Sequence, residues 1–264
     1  GVIHFYEGEL NEAFRYYDMS RTISTMSSSP NDINVGRALY NMGLVKEEKG
    51  FLIDAGVLYQ KALKIYLQNY GQYHHHIAEV YGSLGNIHLT RYEFQKAKYY
   101  FQKDLETSIH LYGEGHVETT WGYENLGRLY HEEGNDSSAQ RMFEKVLEIR
   151  NQFYHGKNIY IANVLLSLAE LENNASKSID YAKKALAVEN SITKQATIGK
   201  WNISIHLLQK YIQLHQNSAA KKELVNAIRL GEQIFPKKRH PTFIKTYLLG
   251  SKIYFDQKLY TKSI

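Results

Sequence analysis

The feature that most constrains the fold is an internal repeat with a period of 42 residues. Segments of one pattern begin at Asn41, Ser83 and Asn125. Each has an apolar residue followed by Gly, a polar turn, an Ala, an aromatic residue and a Leu. The matching sets are Met42-Gly43-Ala55-Tyr59-Leu63, Leu84-Gly85-Ala97-Phe101-Leu105 and Leu126-Gly127-Ala139-Phe143-Leu147. A period of this length indicates one small module stacked along the chain.

The same frame continues in both directions. Ala13 and Tyr17 occupy the Ala and aromatic positions one period upstream, and Leu168-Ala169 replaces the apolar-Gly pair downstream, where we expect the turn to have lost three residues. We therefore expect a single domain over residues 1–264. Its whole repeats are 36–77, 78–119, 120–161, 162–200 and 201–243, with partial repeats at 1–35 and 244–264.

Apolar spacing within each repeat predicts two helices. In the third repeat, Tyr123, Leu126 and Tyr130 form one stripe and Phe143 and Leu147 another, at the three- and four-residue spacing of a helix face. The Gly and Ala positions lack bulk where the two helices approach, and we expect the aromatic residue to fill the gap toward the next pair. With only three prolines in 264 residues, the chain is predicted to be all-α.

The order Leu-Gly, Tyr, Gly, Ala, aromatic, Leu resembles the tetratricopeptide repeat, whose usual period is ~34 residues. The longer period, and the segments 69–85, 111–127 and 153–169 between repeats, resemble the kinesin-light-chain subtype. That subtype has a His-Pro turn before each first helix; here the proline is absent and the histidine does not keep one position. The resemblance implies a right-handed α-α superhelix, a tetratricopeptide solenoid of about five full helix pairs plus partial repeats at both ends.

The resemblance also implies a concave groove, lined by the first helix of each pair, that holds a peptide or partner protein. Asn41, Ser83, Asn125 and Ser167 share one phase, and their polar groups could bond a peptide backbone. Arg128 could clamp a carboxylate. The alternative is that these residues form a solvated face or pack within the solenoid. The candidate partner-binding residues are Tyr40, Asn41, Leu44, Ser83, Asn86, Trp121, Asn125, Arg128, Ser167 and Glu170.

Charge is distributed unevenly along the chain. Residues 201–264 hold eleven Lys and Arg against three acids and so carry +8, which leaves −3 on the remainder of a chain of net charge +5. This segregation favours an acidic partner segment near the basic C-terminal part. The basic stretch 236–241 is interpreted as a solvated connector. It lacks interleaved aromatic residues, so no nucleic-acid partner is expected.

Several function classes lack the residues they need. The chain has no cysteine, which excludes disulfides and thiolate metal sites and suits a cytoplasmic location. His74, His75 and His76 point in different directions on a helix and cannot easily share one metal ion. No phosphate-loop, dinucleotide or nucleophile motif occurs, and no stretch is long and apolar enough to cross a membrane. We therefore expect no enzyme activity, no cofactor and no metal.

The leading hypothesis is a protein-protein interaction scaffold or adaptor. Because Gly1 begins inside a first helix and Ile264 stops where a second helix should begin, we expect the chain to be a fragment of a longer protein. The alternative is the sensor domain of a larger signalling protein, similar to a peptide-pheromone receptor, with its output domain outside this chain. The attached domains would discriminate the two.

Overall fold

The computed structural model describes residues 1–235 and 246–251. In these residues every regular element is helical and there is no strand, which confirms the all-α prediction. The final residues described, 246–251, are also helical, whereas the predicted basic connector 236–241 lies outside the described residues, as do 252–264. The helices are α1 (Val2–Tyr6), α2 (Leu10–Ser27), α3 (Ile33–Glu48), α4 (Leu52–Tyr70), α5 (His75–Thr90), α6 (Phe94–Tyr112), a 3-10 turn (Val117–Thr119), α7 (Thr120–Glu132), α8 (Asp136–Tyr154), α9 (Ile159–Leu171), α10 (Ala175–Ile192), α11 (Ile198–Gln213) and α12 (Asn217–Ile234).

Consecutive helices pack as pairs in two compact units. The first unit, Gly1–Met142, contains the pairs α1–α2, α3–α4 and α5–α6 followed by α7. The second unit begins at Phe143 and contains the pairs α9–α10 and α11–α12. Each unit has its own buried apolar clusters, which run from one pair to the next. No helix in the described part of the chain combines the length and the hydropathy that a bilayer crossing needs.

One residue per repeat caps the first helix, or in the third repeat the 3-10 turn that precedes it, and this residue recurs with the sequence period. Asp32, His74, His116 and Asn158 lie 42 residues apart. In each, the side chain accepts a hydrogen bond from the backbone N–H two residues later, at 2.8, 3.2, 3.2 and 2.9 Å respectively. Thr197 caps α11 from a position three residues early in the period, and its side chain accepts from the backbone N–H three residues later, that of Lys200, at 3.0 Å. The histidine of the repeat therefore occupies an N-cap position, where Asp, Asn or Thr can replace it.

The fourth repeat is three residues shorter than the others, and the expectation that its turn is the shortened part is wrong. The connection between α9 and α10 is residues 172–174, as long as the connections 49–51, 91–93 and 133–135. Instead, α9 has 13 residues whereas α3 and α5 have 16. Most connections place their middle residue at positive φ, as at Gly50, Gly134 and Tyr92. No residue of 172–174 does so, and Glu172, which directly follows α9, has a φ of −74°. This helix therefore ends without the left-handed residue that follows the others.

The glycine and the aromatic residue that recur in each repeat contact each other within one helix pair. A Cβ on Gly43 would lie 2.5 Å from the Tyr59 ring, and one on Gly85 would overlap the Phe101 ring. Both rings are fully buried. The aromatic residue therefore packs against the glycine of its own pair. It also belongs to a buried cluster that contains apolar residues of the next pair, in line with the expectation from the sequence.

Replacing His74 should affect stability in a pH-dependent way. Burial, with help from His75 and His76, lowers the pKa of His74, which keeps the ring neutral and able to accept from the His76 N–H. His74→Ala should cost about 1 kcal/mol of unfolding free energy, and His74→Asn should retain the cap. As the pH falls below the unfolded value of 6.5, the unfolded chain binds the proton first, so wild type should lose stability relative to His74→Asn. Urea unfolding at pH 5 and 7.5 measures this difference; a constant difference would contradict the cap assignment.

The glycine-aromatic contact predicts a second set of stability effects. Gly43→Ala should cost about 1–3 kcal/mol because the Tyr59 ring is buried and its hydroxyl is held by Glu47 at 2.6 Å. Gly50→Ala is the matched control: its Cβ would meet nothing within 4 Å, so only its positive φ of 78° opposes the change, at about 1–2 kcal/mol. Adding Tyr59→Leu should relieve Gly43→Ala and leave Gly50→Ala unrelieved. Additive effects for the first pair would contradict the contact.

Candidate functional site

A cavity of about 520 Å³ lies among the first helices of the first unit. Residues from α3, α5, α6 and α7, and from the 3-10 turn, line it. Six of the ten candidate residues belong to this lining, so the structure brings together side chains up to 88 positions apart in sequence, from residue 40 to residue 128. These six are Tyr40, Ser83, Asn86, Trp121, Asn125 and Arg128.

Hydrogen bonds between neighbouring first helices connect the cavity walls. The Tyr40 hydroxyl on α3 lies 3.4 Å from the Ser83 hydroxyl on α5. Arg128 on α7 donates from Nη1 to Asn86 Oδ1 on α5 at 3.3 Å. Both bonds are long for their type, so a bound group could replace them at little loss.

A buried carboxylate forms part of the cavity lining. Asp104 lies on α6, the second helix of its pair, and its side chain is 5% exposed. Its Oδ2 accepts from Asn125 Nδ2 at 3.3 Å and its Oδ1 accepts from Ser108 Oγ at 3.4 Å. Two long neutral hydrogen bonds are a weak set of partners for a buried carboxylate.

Two glycines let the helices approach this carboxylate. A Cβ on Gly82 of α5 would lie 3.2 Å from Asp104 Oδ2, and one on Gly122 of α7 would lie 2.9 Å from the Cα of Leu105. The absence of side chains here allows α5 to approach the carboxylate and α7 to approach the backbone of α6. Asp104 is accommodated because the flanking helices carry glycine at these positions.

Burial dominates the titration of the cavity groups. Desolvation raises the pKa of Asp104 to about 7, and Glu79 adds to the increase, while the hydrogen bonds from Asn125 and Ser108 oppose it. Burial likewise raises the pKa of Tyr40 to about 12. Near neutral pH the Tyr40 hydroxyl is therefore protonated, and Asp104 exchanges readily between its neutral and charged forms.

The cavity is predominantly acidic and has aromatic groups at its exposed edge. Glu79 and Glu118 line it together with Asp104, against one permanent positive charge, that of Arg128. Trp121 and Tyr112 are 43% and 40% exposed. Carboxylates next to accessible aromatic faces can receive a positively charged or N–H-bearing group.

The remaining four candidates do not line this cavity. Leu44 on α3 packs against the apolar cluster of the first unit, and Asn41 is half-buried on the same helix. Ser167 and Glu170 lie on α9 in the second unit, where the Ser167 hydroxyl donates to the Asn163 carbonyl at 3.3 Å. A partner-binding role for these four residues stays a prediction.

Asp104 was missed by the sequence reasoning, although the repeat contained a signal for it. Its counterparts 42 residues away are Ala62 and Val146, both fully buried. An acid therefore stands at a position that neighbouring repeats reserve for apolar side chains. The candidate residues were sought on first helices only, whereas Asp104 belongs to a second helix.

The first of the three consecutive histidines, His74, has structural contacts. The His74 ring stacks on Tyr70 at 3.6 Å between centroids, in addition to capping α5. In the described part of the chain, the one group of three ligand-type side chains close enough to share an ion is His4, Glu7 and Glu9. This group lies on the surface at the end of a five-residue helix, and His4 already contacts Glu9 at 2.6 Å.

The profile of the tetratricopeptide repeat family matches residues 35–108 and 93–152. The chain is a tetratricopeptide-repeat protein. The match spans α3 to α7 and most of α8, and so includes every residue of the cavity. No curated protein matches the chain.

Solved structures of tetratricopeptide-repeat proteins share this fold. BtubC (BKLC) from P. vanneervenii superposes with a TM-score of 0.71 at 17% identity, over 89% of this chain and 93% of that one. A putative kinesin light chain from Podosopora anserina, with nearly identical repeats, gives 0.63 at 13% identity over 75% and 95%. A signal transduction ATPase with a tetratricopeptide repeat sensor, from Pyrococcus horikoshii, gives 0.65 at 18% identity over 77% and 30%. At these identities the likeness is one of fold.

Neutralising Asp104 should change how stability depends on pH. The pKa is about 7 in the folded protein and 3.8 in the unfolded reference, so between these values the unfolded chain releases its proton first. The contribution of Asp104 to stability is therefore full below pH 4 and is lost as the pH rises through 7. Asp104→Asn should become more stable relative to wild type over this range, by at most on the order of 4 kcal/mol. The exposed Asp180→Asn is the control; parallel pH curves for Asp104→Asn and wild type would refute the assignment.

Proposed function

We propose that this chain is a protein-protein interaction scaffold that holds an extended segment of a partner in the cavity among α3, α5 and α7. The observation that carries the proposal is the convergence of Tyr40, Ser83, Asn86, Trp121, Asn125 and Arg128 around one open cavity. The tetratricopeptide-repeat family supports a protein partner. We further propose that the role is non-catalytic and that the protein acts in the cytoplasm.

The polar groups of the cavity suit a peptide backbone. Asn125 uses its Nδ2 on Asp104, and its Oδ1 could accept from a backbone N–H of the partner. Arg128 is exposed and bound to a neutral amide, so a partner carbonyl or carboxylate could displace Asn86. Such bonds can form with any peptide sequence, so they would contribute to affinity but not to selectivity.

The acidic lining supplies a basis for selectivity. A Lys or Arg side chain of the partner could lie along Trp121 and present its charge to Asp104, Glu79 and Glu118, which line the same cavity. A cation next to Asp104 would favour its ionised form and offset the desolvation that opposes this form. We therefore propose a basic residue in the segment that occupies this cavity. An acidic segment of the same partner would be guided by the basic residues after position 200.

A second candidate function is a sensor domain that transmits partner binding to an attached output domain. It is favoured by the Pyrococcus horikoshii protein, in which a tetratricopeptide repeat serves as sensor within a larger chain. The two functions differ in what adjoins the repeats. An output domain in the full-length protein, with activity that responds to the selected peptide, would support the sensor. A full-length protein whose attached domains show no response to that peptide would contradict it.

The cavity proposal predicts the result of a peptide selection. A random peptide library displayed to wild type should give sequences enriched in Lys or Arg, because three carboxylates line the cavity. Selection with Asp104→Asn should reduce that enrichment. Unchanged enrichment in the variant would refute the proposed basic residue without refuting the groove.

Affinity measurements on the selected peptides test the groove itself. Arg128→Ala should weaken binding by roughly 10- to 100-fold if a charged hydrogen bond is lost, and Asn125→Ala should weaken it less. Arg141→Ala is the matched control, since Arg141 is an exposed arginine of the same unit that does not line the cavity. Fluorescence anisotropy gives the affinities, and melting curves should stay near wild type. Wild-type affinity in both Arg128→Ala and Asn125→Ala would reject the groove.

A further inference from the structure

The second unit contains a small cavity of about 150 Å³ with a strongly basic lining. It lies between the C-terminal end of α10, the loop that follows, the start of α11 and the C-terminal half of α12. Lys194, Lys200 and Arg229 line it, accompanied by amide side chains such as Asn190 and Gln233, and no Asp or Glu belongs to the lining. Ligand cavities for drug-sized molecules measure roughly 300–1,000 Å³, so this one suits a single small group.

Lys200 is the buried cation of this cavity. Its side chain is 4% exposed, and its ammonium donates to the Thr193 carbonyl at 2.6 Å. No carboxylate of residues 1–235 or 246–251 lies within 4.0 Å of Lys200, Lys194 or Arg229. A lysine ammonium has three donors, and a buried charge is costly without a counter-charge. Lys200 therefore has donors and a charge left for a ligand.

A buried carboxylate on α10, that of Glu189, has other contacts. Glu189 is 1% exposed on α10, and its Oε2 accepts from the Thr197 hydroxyl at 3.0 Å. Its Oε1 lies where a Cβ on Gly199 would stand and has no hydrogen-bond partner among the described residues. Glu189 does not line the cavity, so its carboxylate does not occupy the place of a ligand there.

We propose that this cavity binds a small oxyanion, a carboxylate or phosphate group, which Lys200 contacts from the base while Lys194 and Arg229 contact it from the exposed rim. Arg229 already donates to Asn226 Oδ1 at 2.9 Å, which orients its guanidinium and leaves further donors for the anion. The site is independent of the groove in the first unit, and either can fail without the other.

The test uses the whole chain and three probes: inorganic phosphate, N-acetyl-phosphoserine amide and N-acetyl-glutamate amide, each titrated against chloride at equal ionic strength. We expect saturable shifts of the Asn226 and Gln233 side-chain amide resonances. Saturation by phosphate alone would identify a free anion, whereas saturation by a blocked amino acid would identify an acidic or phosphorylated side chain of a partner. Either result supports an oxyanion site, and saturation by none of the three overturns it.

Variants decide whether the shifts report this cavity. Lys194→Gln and Arg229→Gln alter exposed side chains and should fold, yet each should weaken the anion at least ~10-fold; Lys200→Met should abolish binding. Lys183→Gln, on the exposed side of α10 and outside the lining, is the control and should bind as wild type. Glu189→Gln should bind equally or more tightly because a nearby negative charge is removed. Equal affinity in Lys194→Gln, Arg229→Gln and Lys183→Gln, or loss in Glu189→Gln, would overturn the proposal.

Discussion

The contact of an aromatic ring with a glycine of the preceding helix is the interaction on which the rest of this structure depends. Tyr59 on Gly43 and Phe101 on Gly85 bring the two helices of a pair closer than any side chain at the glycine would allow. Because the same contact recurs after 42 residues, successive pairs have the same internal geometry. Equal pairs can stack with their first helices side by side, and that arrangement places Tyr40, Ser83 and Asn125 around one cavity.

The cavity owes its chemistry to a departure from the repeat. At the phase of Asp104 the neighbouring repeats have Ala62 and Val146, which are completely buried. An ionisable group at an apolar position is tolerated because Gly82 and Gly122 admit close neighbours and Asn125 supplies a donor. Local exceptions to a repeating core often mark functional positions, since packing alone would select an apolar residue.

Features of the structure that repeat with the 42-residue period could be predicted from the sequence, and features that do not repeat could not. The helix pairs and the six cavity-lining candidates were predictable because apolar spacing and phase place them on first helices. The common role of Asp32, His74 and Asn158 was missed, because an N-cap depends on a backbone conformation that several residue types can satisfy. The missing residues of the fourth repeat were assigned to the turn, since alignment alone cannot tell a shorter α9 from a shorter connection. Lys200 and Glu189 were overlooked because their burial arises from packing between helices, which no local pattern records.

The two proposed sites have opposite charge because each contains one buried ionisable side chain of a different sign. In the first unit this side chain is an acid, Asp104; in the second it is a base, Lys200, near the C-terminal ends of α10 and α12. A helix C-terminus carries partial negative charge, so Lys200, which donates to the Thr193 carbonyl at the end of α10, is partly compensated where it stands. That compensation is incomplete for a whole positive charge, and an oxyanion would supply the remainder. A partner with a basic residue and a separate acidic or phosphorylated residue would satisfy both sites, whereas a uniformly charged partner would satisfy one and be repelled by the other.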